Sequence, residues 1–476
     1  MKLILLFLSA FTLTNCFAQP KNYEGIWEGE MEIGIKLRIV FHFSKDTKGD
    51  YTTKMDSPDQ SAFGMPTDYT YVRNDSIFTG IERFQISFAG KLIDDTTMNG
   101  SFKQAAAVPL MLKKVIKVSK LKRPQTPTAP FPYATEDVTY SSGKIVIAGT
   151  LSYPNPKPNQ KQKLPAVLLI TGSGPQNRDE EIMEHKSFAV IADHLTKKGF
   201  IVLRVDDRGT GKTTGNFASA TSADFAKDVE GGIHFLKARK EVDMQKIGLL
   251  GHSEGGMIAQ IVAAKRKDIN FLILMAAPGI KPIDLMTEQN LAIFETMGIG
   301  KKARNAYGSL YKPIALAAVT AKDSTSRMLT TAKVLNQWLF GKDSSILKEL
   351  GLETKASQKG FLENINSSFA GPWYKYFLNY DPAPNLKKIN AKVLAINGDR
   401  DVQVLSESNL AGIKAGLKKT KAVYEVHTIK GVNHLFQTCK TCMVNEYGIL
   451  EETISPKVLE LIGEWMEREV RGDHSR

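Results

Sequence analysis

Cysteine is nearly absent, at 3 residues in 476. So few thiols exclude a disulfide-stapled scaffold. The one C-x-x-C pair, Cys439 and Cys442, lacks the second ligand pair that a structural zinc site needs, so no metal is expected. Its spacing is that of a small local disulfide or of two free thiols. Long apolar runs are also missing. The stretch Leu3 to Leu13 is too short to cross a hydrocarbon core of about 30 Å as a helix, and no later stretch reaches that length. Glycine and proline, at 37 and 20 residues, fall far short of collagen-like or low-complexity chains. What remains is ordinary for a globular protein, with 42% apolar and 24% charged residues. The length suits two domains better than one. The formal charge of +13 comes from 63 basic and 50 acidic residues. The basic residues are scattered and no recognition motif accompanies them, so the excess reads as a solvated surface and no nucleic-acid partner is expected.

The first 18 residues read as an export signal. Lys2 supplies the positive start, Leu3 to Leu13 the apolar segment, and Cys16-Phe17-Ala18 the small side chains before a cleavage point at Gln19. A soluble periplasmic or extracellular protein is expected. Leu13-Thr14-Asn15-Cys16 resembles a lipobox, with lipidation at Cys16 as the lesser alternative.

Three segments follow. Residues 19–118 predict a small all-β, barrel-like domain, because Lys36 to Phe43 alternates polar and apolar residues and turn signals recur at Lys48-Gly49-Asp50, Asn74-Asp75, Asp94-Asp95 and Asn99-Gly100. Residues 119–136 hold Pro124, Pro127, Pro130 and Pro132 and read as a stiff linker. Residues 137–476 alternate buried-type strands with helical stretches, the pattern of a mostly parallel α/β sheet. Its strands are Pro165 to Ile170, Phe200 to Val205, Ile247 to Leu250, Phe271 to Met275, Val393 to Ile396 and Ala422 to Ile429. Helix-rich residues, about 279–390, interrupt the series and read as an inserted cap.

The chemistry concentrates at Gly251-His252-Ser253-Glu254-Gly255, between a buried strand and the helical run from Gly256. Strand, sharp turn and helix are the setting of a nucleophile elbow, which projects a serine hydroxyl beyond the sheet. A serine needs a base, and the base needs an orienting carboxylate, following in the order Ser, acid, His. Of eight histidines only His434 lies in a loop after an acid-bearing strand and before the last helix. Asp399 and Asp401 compete for the acid. Oxyanion donors are expected from the backbone of Glu254 and of Ser173 or Gly174 in Thr171-Gly172-Ser173-Gly174-Pro175. Arg208, in Asp206-Asp207-Arg208-Gly209, reads as part of a structural ion pair. Trp373, Tyr374 and Phe377 in the cap are candidate substrate contacts, with core packing as the alternative.

Together GHSEGG (Gly251 to Gly256), TGSGPQNRDE (Thr171 to Glu180), DDRGTGKT (Asp206 to Thr213), NGDRDVQV (Asn397 to Val404) and NHLFQ (Asn433 to Gln437) resemble the α/β-hydrolase superfamily. Within it the chain resembles exported bacterial serine esterases with a β domain ahead of the catalytic one. The resemblance favours Asp401 over Asp399, through the G-x-x-D spacing. It implies hydrolysis of small, often short-acyl, carboxylic esters by Ser253, Asp401 and His434, without a cofactor. Peptidase or thioesterase activity on the same fold, and a non-catalytic envelope- or carbohydrate-binding role, are the alternatives. Thr171 departs from the pattern, since many relatives carry histidine there.

Overall fold

The computed structural model describes residues 21–472, apart from 34–35, 61, 105, 120 and 156–162. The expected signal segment and Cys16 lie outside them. The chain divides into two compact units, one ending at Lys120 and the other beginning at Leu121.

Among the described residues the first unit is one antiparallel sheet of nine strands, coiled as a half-barrel around a single core. The opening strand Gly25–Glu32 lies mid-sheet, between Lys36–Lys45 and Ala107–Val115. Its Trp27 is fully buried, and Nε1–H donates to Tyr23 O at 2.7 Å, which satisfies the one polar atom that burial strands. Two local expectations change. Asn99-Gly100 is not a turn but lies inside the strand Thr97–Lys103. A Cβ on Gly100 would meet the Phe88 ring at 2.5 Å, so this glycine makes room for a core aromatic from the neighbouring strand. The strand Lys36–Lys45 does not alternate cleanly either, because Arg38 is buried. Its guanidinium donates to Asp59 Oδ1 from Nε at 2.9 Å and from Nη2 at 2.8 Å, which neutralises the charge inside.

The second unit is built on eight strands in the spatial order Tyr133–Ser142, Ile145–Pro154, Ile201–Val205, Leu164–Ile170, Val242–His252, Phe271–Met275, Lys392–Gly398 and Tyr424–Ile429. The last six are parallel, and the first two form an antiparallel hairpin at one edge. Helices cover both faces, so the central strands are buried throughout, which is why they read as unbroken apolar runs. Ser222–Ala238, Glu254–Lys265 and Ser406–Leu417 feed one face; Ser187–Lys197 and Pro456–Met466 feed the other. Between the strands Phe271–Met275 and Lys392–Gly398 the chain is helical from Pro282–Thr296 to Ala383–Leu386. These helices bury Tyr307, Leu310, Tyr311 and Ile314 in the same core as the sheet, so the insertion is packed and not a loop.

The proline-rich linker is shorter and better anchored than its composition suggests. The strand Tyr133–Ser142 begins inside it, and Arg123 donates to the carbonyls of Met183, Gly448 and Leu450 at 2.6–2.9 Å. Gln125 binds the backbone of Thr453 and Ile454. Proline removes ladder hydrogen bonds but leaves side chains free to dock.

Candidate active site

Four segments meet at the carboxyl end of the parallel strands. The first is the turn after Val242–His252. Ser253 has φ +53° and ψ −121°, a conformation that L-residues rarely adopt. Its N–H donates to Met275 O at 2.8 Å, which ties the strained residue to the next strand. The helix Glu254–Lys265 begins immediately after it. The glycines make so sharp a reversal possible. A Cβ on Gly251 would lie 2.2 Å from Gly255 O, and one on Gly255 would lie 2.0 Å from Ile170 O. We therefore expect Gly255→Ala to lose at least about 3 kcal/mol of stability, or not to fold at all. Gly360→Ala, in an open helical position, should change stability by about 1 kcal/mol or less. Urea unfolding of the two variants checks this; equal midpoints would contradict it.

The second and third segments bring acid and imidazole together. His434 Nδ1–H donates to Asp401 Oδ2 at 2.8 Å, and both residues are buried. Asp401 Oδ1 accepts the N–H groups of Gln403 and Val404 at 2.8 and 2.9 Å. With Nδ1 as donor to a carboxylate, neutral His434 keeps its lone pair on Nε2. Asp399 takes no part; it accepts the Gly431 N–H at 2.7 Å and holds the neighbouring turn. Buried Asn433 shapes the histidine loop, since its Oδ1 accepts the N–H groups of Leu435 and Gln437, both at 3.0 Å, and its Nδ2–H donates to Gln437 Oε1.

The fourth segment is the loop after Leu164–Ile170. Thr171 Oγ1–H donates to Asp207 Oδ1 at 2.8 Å, and Gln176 N–H reaches Oδ2 at 2.9 Å. Burial pushes the Asp207 carboxyl up to about 7. The adjoining charges are consumed in structure: Arg178 pairs with Asp206, and Arg208 with Asp228. The backbone N–H groups of Ser173 and Glu254 have no hydrogen-bond partner among the described residues.

Ser173, Ser253, Glu254, Trp373, Tyr374, Phe377 and His434 all line one cavity of about 350 Å³, with Met286, Leu285 and Val404 among its apolar wall. Asp401 stands behind His434. Ser253 Oγ makes no hydrogen bond to the His434 ring among the described residues, although both open on the cavity. Such contacts commonly close only when substrate is bound. Glu254 lies buried beneath Trp373, whose Nε1–H donates to Oε1 at 2.7 Å, and Ser222 Oγ–H donates to the same oxygen at 2.6 Å. Burial raises its carboxyl above the usual range, against those hydrogen bonds.

Sequence reasoning had missed two further residues of this centre. Glu180 and His252 pair inside the wall, with His252 Nδ1 3.0 Å from Glu180 Oε1. Both stand inside stretches singled out for other residues, and nothing in their spacing signals that they meet. Cys439 and Cys442 are joined as a disulfide just beyond the histidine loop.

Residues 182–335 match the model of a family described as serine aminopeptidase, S33. The chain is similar to an esterase, EstD, of Thermotoga maritima, with 29% identity over 185 residues; that stretch is 38% of this chain and 42% of the length of that esterase. Among solved structures, a Pyrococcus furiosus esterase is 14% identical with a TM-score of 0.43, covering 74% of this chain and 99% of that one. Est1E of Butyrivibrio proteoclasticus, solved with ferulic acid bound, is 17% identical with a TM-score of 0.39, covering 70% and 99%. The unit from Leu121 onward has the α/β-hydrolase fold, and parts of it are similar to the serine aminopeptidase family and to the Thermotoga maritima esterase.

Proposed function

We propose that the protein hydrolyses small carboxylic esters through an acyl-enzyme on Ser253. The observation that carries this is the convergence on one cavity of a strained serine, an imidazole held by a buried carboxylate, and two uncommitted N–H groups. Ser253 Oγ attacks the carbonyl carbon while His434 Nε2 takes its proton. Asp401 accepts from Nδ1 and stabilises the imidazolium. The tetrahedral oxygen takes hydrogen bonds from the N–H groups of Ser173 and Glu254. His434 then protonates the departing alkoxide. Water, deprotonated by the same nitrogen, releases the carboxylic acid and restores Ser253.

An ester fits this cavity better than a peptide with a free amino terminus. An α-ammonium group needs a carboxylate that is free to face it. Among the described lining residues the two carboxylates are Glu180 and Glu254, and both are buried and already hydrogen-bonded. The rest of the wall, with Trp373, Phe377, Leu285 and Met286, suits a short acyl chain. Export belongs to the same reading, since a disulfide such as Cys439–Cys442 persists in oxidising compartments. A series of p-nitrophenyl esters of increasing chain length, run beside amino-acid p-nitroanilides, tests the substrate class. We expect turnover of the short esters and none of the anilides; faster anilide cleavage would transfer the assignment to a peptidase.

A further inference from the structure

A second acid–imidazole pair lies under the site, with no step in the mechanism above. His252 immediately precedes the nucleophile and is buried. Its Nδ1 stands 3.0 Å from Glu180 Oε1 and its Nε2 stands 3.0 Å from the backbone oxygen of His434. The His434 carbonyl only accepts, and so does Glu180 as a carboxylate; with Glu180 ionised both ring nitrogens donate, and a ring with two N–H groups is an imidazolium. The same Glu180 oxygen also accepts the Gly172 N–H at 2.7 Å. Glu180 itself has φ +47°, so the backbone is held in an unfavourable conformation where it delivers this carboxylate. The pair thus connects three things that have to keep register: the loop carrying Ser173, the elbow carrying Ser253, and the main chain of His434. The two imidazole rings lie 4.8 Å apart between centroids.

Resting on the catalytic reading above, we propose that Glu180 and a permanently protonated His252 are a positioning pair that sets the oxyanion loop and His434 relative to Ser253. Among the described residues the charged or titratable groups facing His252 are Glu180, Asp401 and the His434 ring. Burial works against the charged ring; Glu180, the His434 carbonyl and Asp401 overcome it and hold the imidazole above its usual range. Neither residue touches the reacting atoms in this scheme. Their effect passes through Gly172 and through the backbone of residue 434, and misplacement of catalytic groups by about 1 Å lowers rates by about 100-fold.

Two readouts test the pair on the full chain. In spectra of the protein labelled with [15N]histidine, one ring should keep both nitrogens protonated from about pH 6 to about pH 8. His252→Gln should remove that ring's signals, and Glu180→Gln should convert it to a neutral tautomer. A neutral ring in the unmutated protein overturns the proposal, whatever the enzyme's activity. The second readout is a double-mutant cycle on ester hydrolysis, normalised to folded sites by phosphonate titration. Each single variant should lower kcat by about 10- to 100-fold with KM changed less than about threefold, and the double variant should be no worse than the poorer single one. Unchanged kcat, or losses that multiply, overturns it. Should Glu180→Gln fail to fold, His252→Gln alone gives the same split between kcat and KM. Absence of any hydrolysis dependent on Ser253 defeats the catalytic reading instead, and leaves the spectroscopic readout to decide on the pair.

Discussion

Ser253→Ala is expected to lower kcat for a short p-nitrophenyl ester by about 10⁴- to 10⁶-fold, with the protein still folded. The reason is chemical: no other hydroxyl stands on the elbow, and the residual rate reflects only what binding and the oxyanion donors contribute. A fluorophosphonate should add one label to the unmutated chain and none to the variant, which intact-mass measurement resolves. A labelled variant would place the nucleophile elsewhere. The same position offers a stability readout of opposite sign. Ser253 sits at φ +53°, on the side of the map that glycine adopts freely. Ser253→Gly should therefore be inactive yet more stable than the parent, by about 1 kcal/mol, since a residue held in such a conformation stores about 1–3 kcal/mol. A glycine variant less stable than the parent would show that the strain is smaller than the geometry implies.

Asp401→Asn is expected to lower kcat by about 10⁴-fold while KM stays within a few-fold of the parent. An asparagine amide facing Nδ1 can donate to it. That favours the tautomer with hydrogen on Nε2, and such a ring cannot take the proton of Ser253. Asp399→Asn provides the contrast two residues away. Asp399 accepts one N–H from Gly431 and does not face the imidazole, so activity should stay within about threefold and stability should fall by about 1 kcal/mol. Steady-state kinetics and urea unfolding of both variants separate the roles. If Asp399→Asn proved the more damaging to kcat, the orienting acid would have to be reassigned.

Much of the second unit was legible because its signals are local. The strand Leu164–Ile170 is an unbroken apolar run, as the stretch Pro165 to Ile170 suggested. The elbow was legible for the same reason: glycines, a serine and the flanking strand and helix lie within a few residues of one another. The β unit was harder. Gly100 looks like a turn residue by composition, and only the Phe88 ring pressed against it from the adjacent strand explains why it lies mid-strand. Arg38 likewise belongs by type on a solvent face, and it is buried because Asp59, distant in the chain, reaches its guanidinium. Pairings across long sequence separations carry no local signature.

The residues alone determined the alternation of strand and helix and the sharp turn at Ser253, because these follow from hydrophobic period and glycine placement. Only the tertiary structure decided that Asp401 and not Asp399 faces the imidazole, that Trp373 donates to Glu254, and that Glu180 meets His252. Those contacts join side chains 33, 119 and 72 positions apart. Their energies depend on burial and direction, and neither exists until the sheet has brought the loops to one end.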